Sequence, residues 1–190
     1  MMQKIKFPHC IINFNKEQQK GLVIYMTNNI AIVNIINKLE TINSAPCKKT
    51  LQKIIYLIEN KGVNLGCNYG IHFYGPYSSD LDFAVRELSD DGILNIQYTL
   101  TEHRISVSKE TNFLEKHTFD NSTVDDVINE FSKDSPSELE LIATTLYVYL
   151  QVKDIDKVMP GVIKIKGSKY STTRIQSTID RLQRTGYIVA

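Results

Sequence analysis

The sequence predicts an α+β fold, mainly helical, in which a winged helix-turn-helix-like unit is followed by a second, similar helical unit. Three observations predict it. Apolar residues recur at helical spacing in successive segments, as in Leu51, Ile54, Ile55 and Ile58. The period then switches to alternation in GILNIQYTLTEHRISVSK. Finally, the third helical pattern returns near the C-terminus, 94 positions later.

Taken in order, residues 1–25 differ from the rest and are expected to be an N-terminal extension, with Met26 as a natural start. MTNNIAIVNIINKLE then predicts a helix capped by Thr27 or Asn28, with Ile32, Ile35, Ile36 and Leu39 facing inward. KKTLQKIIYLIENKG predicts a second helix that Gly62 closes. VNLGCNYGIHFYGPY, rich in Gly and Asn, reads as a short strand or turn. Residues 79–91 form the third helix, with Leu81, Ala84, Val85 and Leu88 buried and Ser78 or Ser79 as its cap. A hairpin follows, turning at Leu100–His103. Three helices, a turn and a hairpin are the order of a winged helix, giving a first unit over 26–118.

ETNFLEKHTFDNST reads as a connection to a second unit over 119–190, which could form one compact domain with the first. That unit opens with a helix at VDDVINEFSKD. In SPSELELIATTLYVYLQ, Ser135 and Glu138 have the spacing of a capping box. GVIKIKGSK, residues 161–169, reads as a basic strand or loop. In the last helix Ile175, Thr178, Ile179 and Leu182 fall on Leu81, Ala84, Val85 and Leu88, and Gly186 falls on Gly92. Tyr187 and Ile188 then fall on the first strand of the hairpin.

The net charge of +1 is unevenly distributed. Residues 26–150 carry ten Lys/Arg against seventeen Asp/Glu, whereas 151–190 carry eight against three. The two matching helices differ accordingly. Asp80, Asp82, Glu87, Asp90 and Asp91 surround the first with Arg86 alone against them, and that balance opposes a phosphate-lined groove. The second has Arg174, Arg181 and Arg184 against Asp180, preceded by Lys164, Lys166 and Lys169. Thr173, Gln176 and Ser177 occupy the positions from which a recognition helix touches base edges. A DNA-reading surface is therefore expected here, as a continuous basic face joining Lys164, Lys166, Lys169, Arg174 and Arg181.

Catalytic chemistry is not expected. His9, His72, His103 and His117 are scattered, the three cysteines lack C-x-x-C spacing, and no phosphate-cradling glycine motif occurs. No metal or cofactor is expected either. No apolar run approaches the roughly 20 residues that span a bilayer, and the unpaired cysteine count suits a reduced, cytoplasmic compartment.

The segment LQKIIYLIENKGVNLGCNYGIHFYGPYSSDLDFAVRELSDDGIL resembles the YwgA-like family of bacterial proteins. The likeness rests on Leu51-Gln52-Lys53, Tyr56, the Tyr74-Gly75-Pro76-Tyr77-Ser78 turn, Leu81, Leu88 and Gly92. It is similar, more distantly, to the Panacea domain of certain antitoxins. The first resemblance implies a fold more than an activity; the second implies neutralisation of a toxin by protein contact. The leading expectation is a non-catalytic regulator of winged-helix type, binding double-stranded DNA through its C-terminal unit. The alternative is an antitoxin-like or adaptor module that meets a protein partner through Tyr77, Asp80, Asp82 and Arg86. A homodimer is expected only by analogy with two-fold symmetric DNA readers.

Overall fold

The computed structural model describes residues 6–7, 10–11, 16–42, 45–100 and 102–189. The fold is α+β and mainly helical, with short antiparallel hairpins. Strands β1 (Lys6–Phe7) and β2 (Cys10–Ile11) pair near the N-terminus. Helix α1 runs from Lys16 to Ile42, so Thr27 and Asn28 lie inside it rather than capping it. The stretch KEQQK is built of good helix formers, and Gly21, with nothing among the described residues within 4 Å of where a Cβ would stand, is tolerated within the helix. Met26 is thus an interior position of a continuous helix.

Helix α2 (Lys48–Glu59) is the centre of the molecule, with every residue from Leu51 to Ile58 buried. Hairpin β3 (Gly70–His72) and β4 (Gly75–Tyr77) follows, paired from Gly70–Tyr77 to His72–Gly75. Helix α3 (Ser79–Asp90) starts where Ser78 Oγ accepts the Leu81 amide, and it buries the expected Leu81, Ala84, Val85 and Leu88. The expected hairpin is formed by β5 (Leu94–Tyr98) and β6 (His103–Val107). It docks on the start of α2 through the Ile105 amide, which donates to Pro46 O at 3.0 Å.

A single helical turn, α4 (Phe113–Lys116), interrupts the expected connection before α5 (Ser122–Phe131). Helix α6 (Pro136–Val152) has the capping box that Ser135 and Glu138 foretell. Residues 161–169 depart from the expected basic strand or loop: they belong to α7 (Val158–Lys166) and a 3-10 turn at Gly167–Lys169. The alternating V-I-K-I-K masks an i, i+4 pair, Val158 and Val162, that is fully buried, and Pro160 sits in the first turn where proline is tolerated. Helix α8 (Thr172–Arg184) ends the regular structure.

Helices α3 and α8 share their buried positions and the hydrogen bonds that close them. Helix α8 buries Ile175, Thr178, Ile179 and Leu182, the four partners of the buried α3 residues. Gly92 and Gly186 both have positive φ, 72° and 70°. Beyond them Ile93 donates to Leu88 O at 2.9 Å and Tyr187 to Leu182 O at 2.8 Å. Two differences remain. Ser171, one position earlier than the alignment places it, caps α8. The expected strand at Tyr187–Ile188 does not form: both backbone amides donate to Leu182 O, closing α8, while both side chains enter the core and the Tyr187 hydroxyl donates to Leu57 O at 3.1 Å.

One large core gathers α1, α2, α3, α5, α6 and the β5–β6 hairpin, closed by Leu182, Tyr187 and Ile188. A smaller one lies between α6, α7 and α8 around Leu141, Val148, Val158, Val162, Tyr170, Ile175 and Ile179. Helix α6 serves both, presenting Leu139, Ile142, Ala143 and Leu146 to the first and Leu141 and Val148 to the second. Among the described residues, no helix is long and apolar enough to cross a membrane.

Candidate functional site

The two stretches Leu51-Gln52-Lys53 and Tyr74-Gly75-Pro76-Tyr77-Ser78 meet in space. The Gln52 amide closes a two-way bridge, donating to Ser78 O at 2.8 Å and accepting from the Ser78 amide at 2.9 Å. At the next position, the Lys53 ammonium donates to Pro76 O at 2.5 Å. Both side chains belong to residues 3% exposed, so these bonds are made in a dry environment where an unmade one would be costly. They fix the β3–β4 hairpin against α2 and set the direction of α3.

In front of this joint lies a cleft of about 550 Å³. Its wall is the first turn of α2 with Cys47, Lys48 and Lys49, then Lys53, the hairpin residues His72, Tyr74 and Tyr77, and the β5–β6 tip. Lys49 stands over the Tyr74 ring, 4.1 Å from its centroid. Lys48 pairs with Asp82 at 2.5 Å. Glu102 contributes the one carboxylate of the described lining, and it is held by Arg104 at 2.6 Å. The acidic body of the chain therefore contains a locally basic concavity.

Lys53 is the unusual group. Burial pushes its ammonium down to about 8; the Glu140 charge acts against that shift and the Lys166 charge with it. Since 8 lies below the ordinary 10.5, the unfolded chain holds this proton more tightly than the folded one. The buried charge therefore costs most below pH 8, and the cost is relieved as pH rises towards 10.5. Urea unfolding of wild type and Lys53→Met checks this. Between about pH 7 and 9.5 the wild type should gain about 2 kcal/mol relative to the variant.

A second cluster forms behind the hairpin. Glu140 accepts from Lys166 at 2.8 Å and from Lys169 at 2.7 Å, and Lys166 also donates to Phe73 O at 2.8 Å. The side chains of Glu140 and Lys166 are 6% and 3% exposed. Burial alone would raise the Glu140 carboxyl, but the two lysines outweigh it and hold it below the ordinary range.

The expected continuous basic face is therefore broken. Lys166 turns inward to Glu140, and Lys169 follows it in part. Arg181 binds Glu130 at 2.8 Å, Asp134 at 2.9 Å and Glu130 O at 2.7 Å, with its guanidinium over Phe131. What α8 does expose is Thr173, Arg174, Gln176 and Ser177 on its first two turns, with Lys164 exposed on α7 and Arg184 exposed at its own end. Gln176 donates to Asp180 at 2.8 Å.

The residues expected to meet a protein partner are largely engaged within the chain. Asp82 bridges Lys48 and Arg86, Asp80 accepts from the Asn68 amide and side chain, and Tyr77 is half-buried beside His72. Arg86 and Phe83 are exposed. Sequence reasoning missed Lys48, Lys49 and Lys53 as a charged cluster, although K-K-x-x-x-K places Lys49 and Lys53 on one helical face. Among the described residues no group of His, Cys, Asp or Glu could hold a metal ion.

No family model matches the chain. The chain spans 63% of the length of the curated relative it matches, and the match covers 53% of this chain. That relative is the uncharacterized protein YwgA of Bacillus subtilis, 31% identical over 111 residues, and the similarity supports the YwgA-like resemblance read from the motifs.

Proposed function

We propose that the protein is a non-catalytic regulator of winged-helix type that reads double-stranded DNA with the outer face of α8. The observation that carries this reading is the arrangement of α7, a short turn and α8. It leaves Thr173, Arg174, Gln176 and Ser177 exposed together on the leading turns of the second helix. Side chains at the start of such a helix reach base edges, while flanking cations position the helix on phosphates. With Lys166 and Arg181 neutralised internally, the phosphate contacts fall to Lys164, Arg174 and Arg184.

So few contacts give modest affinity. Three phosphates neutralised correspond to a salt slope of about −3 in log–log form. Fluorescence anisotropy with duplex DNA between 50 and 200 mM salt is the test, these being roughly the limits over which such slopes are read. Arg174→Ala combined with Arg184→Ala should weaken binding about tenfold or more and flatten the slope by about 2. Equal, weak binding by both proteins sinks the reading.

A second reading, a protein-interaction module of antitoxin-like or adaptor-like kind, is favoured by one feature of α3. Phe83 is 58% exposed, with exposed Asp80 and Glu87 one turn to either side. An apolar contact rimmed by acids suits a basic protein surface and repels DNA.

A further inference from the structure

We propose that the cleft at the start of α2 binds a phosphate-bearing small molecule. Its phosphate is held by Lys49, Lys53 and the first-turn amides of α2, and its body lies against Tyr74 and Leu100. The site shares no residue with the α8 surface and stands independently of the DNA reading.

The charge inventory of the cleft points to an anion. Of its three lysines, Lys48 is already matched by Asp82, and Glu102 is matched by Arg104. Lys49 and Lys53 make no ion pair among the described residues. Lys49 rests on the Tyr74 ring. Lys53 is the more telling, since an ammonium on a residue 3% exposed has, among the described residues, one acceptor, Pro76 O, for three N–H donors. The Glu140 charge that favours this ammonium is already shared with Lys166 and Lys169, so the buried cation is only partly compensated, and an arriving anion relieves the remaining cost.

The backbone adds to the same field. Cys47, the residue before α2, offers the helix no side-chain cap, and its first turn lines the cleft. An uncapped helix start carries free amide donors and positive dipole charge, both of which favour a phosphate. Two ammonium groups and these amides match a doubly charged group with three terminal oxygens better than a single carboxylate.

The size and remaining walls define the rest of the ligand. A cavity of about 550 Å³ is within the range of small-molecule sites and exceeds a lone phosphate. Leu100 at the β5–β6 tip is fully exposed and Tyr74 is 43% exposed, so both walls offer apolar surface to a ligand. His72 and His103 also line the cleft and are exposed, and a ring N–H of either can donate to a bound phosphate oxygen.

Isothermal titration of the full chain with ADP, pyrophosphate, adenosine and citrate tests the proposal. ADP and pyrophosphate should bind, ADP more tightly, and adenosine should not. Lys49→Gln and Lys53→Met should each weaken ADP by about tenfold or more, with Lys109→Gln, outside the cleft, unchanged. ADP affinity should fall as pH rises past 8, where Lys53 gives up its proton, and Lys53→Met should remove that dependence. If Lys53→Met fails to fold, Lys49→Gln decides. The proposal is overturned if neither phosphate probe binds at about 10 mM. Indifference to Lys49→Gln, or citrate binding as tightly as ADP, overturns it equally.

Discussion

Glu140→Gln is expected to lower the stability of the protein by about 3–5 kcal/mol, one of the two largest single-residue effects this structure implies. The substitution keeps the shape and removes the charge. Lys166, whose side chain is 3% exposed, is then left with the Phe73 carbonyl and no counter-charge. Removing both charges should cost far less, because a buried pair gains little over well-packed apolar groups once desolvation is counted. Glu140→Leu combined with Lys166→Met should therefore recover most of the loss in urea unfolding. If the double variant is as unstable as the single one, the ion pair is not the source of the effect. Acid should act like the single substitution. The Glu140 carboxyl is held below its ordinary 4.5, so its contribution is complete above that pH and is lost as pH falls through the folded value.

This cluster also shows what can be read from the sequence. Helical periodicity places the buried stripes of α2, α3, α5 and α8, because burial on one helix face leaves a local pattern. The correspondence between α3 and α8 is legible for the same reason, and it extends to the closing glycine and its hydrogen bonds. What the sequence conceals depends on distant partners. Lys166, Lys169 and Arg181 look like a cationic face because their acids, Glu140, Glu130 and Asp134, lie 26 to 51 positions away. Helix α7 is obscured by local alternation, since its inward pair Val158 and Val162 gains its meaning only from α6. The cleft is hidden likewise. Each of its two halves stands out as a motif, yet nothing local says that Gln52 and Lys53 bond to Ser78 and Pro76.

The joint between those halves gives the second large effect, Gly75→Ala, expected to cost about 2–4 kcal/mol. Gly75 has φ +85°, a backbone region in which an L side chain is strained. A Cβ there would also stand 2.8 Å from Thr144 Oγ1 and 3.4 Å from Glu140 O, so the hairpin could not keep its seat on α6. The two contributions are separable. Thr144 Oγ1 is buried and has no hydrogen-bond partner among the described residues, so Thr144→Ala alone should cost little. In the Gly75→Ala background it should restore the steric part and leave the conformational part, about 1 kcal/mol. Gly70 is the control. It lies in the same hairpin with nothing among the described residues within 4 Å of where a methyl group would stand and no positive φ, so Gly70→Ala should cost under about 1 kcal/mol. Urea unfolding of these variants beside the wild type measures all of this, and equal losses at Gly70 and Gly75 would exclude a close approach. The consequence for binding follows from geometry. Pro76, next in sequence, carries the carbonyl that holds Lys53, and Tyr74 carries the ring beneath Lys49. A hairpin displaced from α6 separates these two cations from their supports, so Gly75→Ala should weaken phosphate binding together with stability, even though Gly75 brings no charge to the cleft.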